Sequence, residues 1–199
     1  MPLKFDSAAV VVRGKFNPYI FSPEWLEQQR IWSHKDVQLA LGALSDGINF
    51  RSADGSITWS VDPFGLTVRA ENAAELVKGV LELLSHTPVS AVGCNFVFSS
   101  DKWESDVVPA LGGMTLGDFK PQNHIEIAIW TGVFHVDKVR TQMEVAVGEE
   151  GITVNFNYHE HTANVDHAIK ALEKFHDHRQ HAIDAIRDLL KENVDAKST

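Results

Sequence analysis

A single cysteine, Cys94, stands in 199 residues. No internal disulfide can form, and no paired-thiol metal or redox site exists. Long apolar runs are also missing: nothing approaches the roughly 18 residues of a membrane-spanning helix. The N-terminal stretch MPLKFDSAAVVVRGKF is interrupted by Arg13 and Lys15 before it reaches the length of a signal-peptide core. A cytoplasmic protein with no membrane association is the expectation. Basic clusters are absent too. The chain has 18 Lys and Arg against 27 Asp and Glu, for a formal charge of −9. Phosphate-binding surfaces need clustered cations, so the expected partners do not include nucleic acid, whereas a basic protein target fits the charge. There is no GxSxG elbow. ALGGMTLGDF lacks the GK[ST] of a phosphate loop, and it lacks the strand before and helix after that a dinucleotide fingerprint requires. No cofactor is expected.

What is present describes a globular α+β domain spanning 1–199. Apolar content of 44% and charged content of 23% suffice for a sizeable core. Residues 8–16 and 36–42 read as strands, and Ser22 is placed to cap a short helix that starts at Pro23. FRSADGSITWSVDPFGLTVRA alternates between two turn signals, Asp54-Gly55 and Asp62-Pro63-Phe64-Gly65, as an antiparallel meander does. Asn72 and Glu75 resemble a capping pair for a helix over 73–86. Val92, Cys94, Phe96 and Phe98 share one face of the next strand, which makes Cys94 a structural thiol. Residues 101–121 are expected to form a flexible loop. Strands near 124–134, 140–147 and 151–158 precede a helix from about 164 to 191, and the tail 192–199 is expected to fray.

The chain also resembles itself. Ile57-x-Trp59-x-Val61, the turn DPFG and Leu66-x-Val68-x-Ala70 lead to Asn72. Met143-x-Val145-x-Val147, the turn GEEG and Ile152-x-Val154-x-Phe156 lead to Asn164. The following helices align without a gap, Val77 with Ile169 and Val80 with Leu172. VVRGKF (11–16) matches IWTGVF (129–134). The expected fold is therefore a mostly antiparallel sheet, or two related sheets, made of two strand–turn–strand–helix halves (about 8–100 and 122–191). A pseudo-twofold relates the halves, and the helices pack on one side.

Six of the ten histidines lie between His159 and His181. A helical zinc site wants histidines four apart on one face, whereas His178 and His181 are three apart. On one continuous helical wheel His167, His178 and His181 fall opposite the apolar stripe. No metal is assigned; His159, His161, His178 and His181 are the residues that would have to supply one. Arg179 sits inside the stripe, so it either pairs with a carboxylate or snorkels out past the sheet. The extension 182–190 has no counterpart in the first half. Its apolar residues Ile183, Ile186 and Leu190 must cover the other half or form a homodimer interface.

The expected function is that of a non-enzymatic, acidic protein-binding or assembly module, of which an inhibitor or immunity-like protein is one form. Its partner-binding residues are Tyr19, Phe21 and Trp25 on the Pro-punctuated insertion, with Trp103 and Phe119 on the glycine-rich loop, because aromatics are enriched at interface hot spots. The alternative is a small-molecule or metal-dependent enzyme with a pocket between the two halves, lined by the 101–121 loop, His159 and His161.

Overall fold

The computed structural model describes residues 3–33, 37–40, 47–101, 127–148 and 151–195. The greater part of the expected loop, including Trp103 and Phe119, lies outside them. The fold is α+β, with one antiparallel sheet. Its strands are β1 (Lys4–Gly14), β2 (Val37–Ala40), β3 (Ile48–Ser52), β4 (Thr58–Asp62), β5 (Gly65–Arg69), β6 (Val89–Ser100), β7 (Ile127–Val136), β8 (Val139–Gly148) and β9 (Gly151–His161). They lie in the order β2-β3-β4-β5-β1-β6-β9-β8-β7. A 3-10 turn at Pro18–Ile20 and helices α1 (Pro23–Gln28), α2 (Ala73–Leu83), α3 (Val165–Glu173) and α4 (Phe175–Asp195) complete the described elements. None of these helices is long and apolar enough to cross a membrane.

The register of the central pair divides the sheet into two faces. Ala8 pairs with Phe96, Val10 with Cys94 and Val12 with Val92. These six are buried and belong to one core cluster with Trp59, Val68, Phe156 and Tyr158. Helix α2 packs on β1 and β5, and α3 and α4 pack on β6. The residues between them in sequence, Ala9, Val11 and Arg13 on β1 with Ala91, Gly93 and Asn95 on β6, point the other way.

Local chemistry explains most of the boundaries. Ser22 Oγ accepts a hydrogen bond from the Trp25 amide at 3.1 Å, and Asn164 Oδ1 accepts from that of His167 at 2.9 Å, so α1 and α3 are capped. Asn72 does not follow: its backbone is not extended and its side chain makes no capping bond. The expected Asn72/Glu75 pair is absent, and Glu75 meets His176 at 3.0 Å. The insertion is pinned by aromatic stacking, since Trp32 lies 5.9 Å from Phe50 and 6.2 Å from Trp59, centroid to centroid.

Two expectations need correction. The helix over 164–191 is two helices, broken at Lys174, whose amide reaches back only three residues to the Ala171 carbonyl at 3.3 Å. Helical spacing nonetheless carries through this tightened turn, and α4 continues past Lys191 to Asp195. Its buried stripe is Phe175, His178, Ala182 and Ile186. Ala182 and Ile186 join the chain's own core, with Ile183 packed against it. Ile186 is thereby withdrawn from any oligomer interface, while the side chain of Leu190 is outside the described set. Arg179 combines the two expected arrangements: it pairs with Glu71 at 3.2 Å and its guanidinium sits 4.0 Å above the Phe5 ring. The second correction concerns the likeness of 11–16 to 129–134. β1 is central in the sheet and β7 is the last strand in the order, so these segments hold unlike positions.

Two turns predict opposite responses to glycine chemistry. Gly151 has φ +137, and a Cβ there would run into the Ser100 carbonyl oxygen. Asp137 and Lys138 both occupy left-handed backbone, φ 47 and 70, in the β7–β8 hairpin. In urea unfolding, Gly151→Ala is expected to lose about 1–3 kcal/mol, and Lys138→Gly to gain roughly 1 kcal/mol. Equal or reversed effects would contradict these backbone assignments.

Candidate functional site

The histidine-rich segment separates into two groups on opposite faces of the sheet. On the helix side the Tyr158 hydroxyl lies 2.7 Å from His181 Nδ1, and the His178 ring stacks on Tyr158 at 4.4 Å and 13°. His178 is only 6% exposed, contrary to the solvated position expected for it; the buried face of the helices runs through Ala171, Phe175, His178 and Ala182, with Ile169 and Ile183 only partly buried at its edge. His181 likewise turns toward Tyr158 and Phe134. His167 and His176 are exposed. Burial pushes His178 below its ordinary value. Lys174 and His181 add to this, and Glu160 and Asp177 oppose it. Burial raises the Tyr158 hydroxyl, and it lifts the Cys94 thiol to about 12, where it is not nucleophilic. This cluster is ring packing with one internal hydrogen bond.

His159 and His161 face the other way, their rings 4.8 Å apart. The sheet therefore separates the residues that would have had to share a metal. Among the described residues no three His, Cys, Asp or Glu groups converge as ligands.

The aromatic insertion is also divided. Phe21 is 1% exposed and sits 5.4 Å from Trp25 and 6.3 Å from Phe16, so it is core rather than contact surface. Trp25 is partly buried against the same cluster. Tyr19, 74% exposed, is the member available to a partner.

A surface that the sequence did not mark lies on the face where no described helix packs. Strand pairing sets its residues in rows. One runs Thr67, Val11, Gly93, His159, Arg140, and the next runs Arg69, Ala9, Asn95, Asn157, Gln142. Lys4, Arg13, Arg69 and Arg140 are exposed here, and none forms an ion pair among the described residues. The described ion pairs gather instead on and beside the helices: Lys78 with Glu82 and Glu173, Lys174 with Glu160, Arg179 with Glu71, Arg187 with Asp184. Two depressions meet on the open face. One of about 330 Å³ is lined by Val11, Arg13, Ala91, Gly93 and His159. The other, about 220 Å³, is lined by Gln142, Glu144 and Asn155 among others, and the two share Asn95 and Asn157. Burial lowers His159 from its ordinary value, and the neighbouring His161 and Arg140 lower it further. No family model matches the chain and no curated protein matches it. The open face presents guanidinium groups, carboxamides and an imidazole.

The buried histidine makes stability depend on pH. Held below its ordinary 6.5 in the folded chain, His178 binds its proton later than it does in the unfolded chain. Its contribution is full above that value and is lost as pH falls through it toward the folded pKa. Urea midpoints at about pH 7.5 and about pH 5.5 are expected to differ more in the native chain than in His178→Phe, which keeps a ring on Tyr158. An unchanged difference would remove His178 from the account. Tyr158→Phe, which deletes the hydrogen bond to His181, is expected to cost about 1 kcal/mol.

Proposed function

We propose that this chain is a protein-binding module whose recognition surface is the open face of the sheet, and that it takes a partner presenting acidic groups. The observation that carries the reading is the segregation of charge. In a chain of formal charge −9, Lys4, Arg13, Arg69 and Arg140 stand exposed on one face with no ion pair among the described residues, while the acidic groups of α2, α3 and α4 sit on the opposite side. Net charge alone favoured a basic target of the kind an inhibitor or immunity-like protein masks; the local arrangement favours an acidic one. Tyr19, 74% exposed, is a further aromatic available to a partner, and no dimer contact is assigned to Ile186. A cytoplasmic setting suits a chain whose single thiol is packed in the core.

The scaffold for this face is, in the same reading, a duplication: β1 through α2 form one half and β6 through α4 the other, related by a pseudo-twofold between β1 and β6. Outward from that pair the order is β5, β4, β3 on one side and β9, β8, β7 on the other, and α2 packs against α3. This support moves the boundary between halves from about residue 100 to the segment between α2 and β6. The binding surface then spans the junction, where neither half alone could build it.

Affinity capture from the native cell with three baits tests the reading. The proteins retained by the native chain are expected to be lost from an Arg69→Glu/Arg140→Glu bait and kept by a Lys78→Glu/Lys170→Glu bait, which alters the helix side only. Retention by the first with loss from the second would place recognition on the helices and refute the proposal.

A further inference from the structure

Within the open face one position is shaped for a particular group. Gly93 forms the floor of the larger depression, between Val11 on β1 and His159 on β9, its two paired neighbours. Arg13 lies at one end, across from Gly65. Asn95 and Asn157, directly paired, offer carboxamides from the side. The nearest described carboxylate in the lining, Glu144, belongs to the adjoining depression and is engaged by Asn155 Nδ2 at 3.5 Å.

We infer that the depression over Gly93 seats a carboxylate, that of a Glu or Asp side chain in an acidic protein segment lying across β1, β6 and β9. The inference rests on the open-face reading and specifies its ligand. Arg13 supplies the full charge and a forked donor geometry that matches a carboxylate. The Asn95 and Asn157 amide groups donate, and His159 donates from whichever ring nitrogen faces the ligand. Glu144, at the far end, accepts from backbone or side-chain donors of the same segment, which orients it. A charge on His159 is already disfavoured by its neighbours His161 and Arg140. A bound anion opposes that effect and favours its protonation, so imidazole and ligand reinforce each other.

Glycine in the interior of a strand ordinarily weakens it, yet here a side chain is sterically allowed. A Cβ on Gly93 would meet Asn95 Nδ2 and Val11 Cβ at 3.9 Å, ordinary contact, with no left-handed backbone to forbid it. Gly93→Val therefore fills the depression while suiting the strand. The experiment is an NMR titration of the ¹⁵N-labelled full chain with three probes: a Glu-rich peptide, the same peptide with Gln for Glu, and inorganic phosphate. The Glu peptide alone is expected to shift the Gly93, Asn95 and Asn157 signals and raise the His159 pKa. Gly93→Val and Arg13→Gln should each weaken it about tenfold or more with folding intact by circular dichroism. Binding that is unchanged in both variants overturns the seat. If Arg69→Glu/Arg140→Glu still abolishes capture in that case, the open-face reading survives without it. Phosphate shifting the same amides as strongly as the peptide, and competing with it, also overturns the inference in favour of a free-anion site.

Discussion

Pairing of β1 with β6 is the constraint on which the remaining structure depends. It joins β2-β3-β4-β5 to β9-β8-β7 as a single sheet, and its register decides what each face carries. Because side chains alternate, a slip of one residue would turn Val10, Val12, Cys94 and Phe96 outward and bring Val11, Arg13, Gly93 and Asn95 under the helices. Burying Arg13 and Asn95 without partners would cost several kcal/mol, so the apolar set holds the register firmly. A bulge between Phe5 and Ser7 keeps the alternation consistent at the start of β1. There Phe5 turns to the helix side and gives Arg179 an aromatic surface.

The same register explains how an acidic chain can present a local group of exposed cations on one face. Screening decides which charges matter. The Debye length is about 8 Å at physiological ionic strength, and a layer of helix or sheet is about 10 Å thick. Carboxylates on α2, α3 and α4 are thus largely screened from a ligand on the open face, and the nearby cations dominate. Of those carboxylates, Glu82 and Glu173 are also paired with Lys78 and Asp184 with Arg187.

Much of the fold was legible because its signals are local. The Ser22 cap, the DPFG hairpin, the alternation around Trp59 and the inward set Val92, Cys94, Phe96 each depend on neighbours within a few residues. The buried face of α3 and α4 was not legible, since an apolar stripe drawn through Ile169 and Ile183 is centred away from Ala171, His178 and Ala182. His178 falls on the buried side, against the Tyr158 ring. The candidate surface was hidden for a different reason. Arg13, Gly93, Asn157 and Arg140 come from four strands, and only long-range pairing brings them side by side. No spacing within any one segment announces them; a glycine interrupting the otherwise side-chain-rich strand VSAVGCNFVF was the one local clue.

Recognition through the open face is most directly tested by arginine-selective footprinting with phenylglyoxal, read by mass spectrometry, on the full chain alone and with the Glu-rich peptide. Arg13, Arg69 and Arg140 on the open face and Arg187 on α4 are all exposed, so each reports on its own side of the molecule. The account predicts that the peptide protects Arg13 and Arg140 and leaves Arg187 as reactive as before. Protection of Arg187 with no change at Arg13 and Arg140 would contradict it.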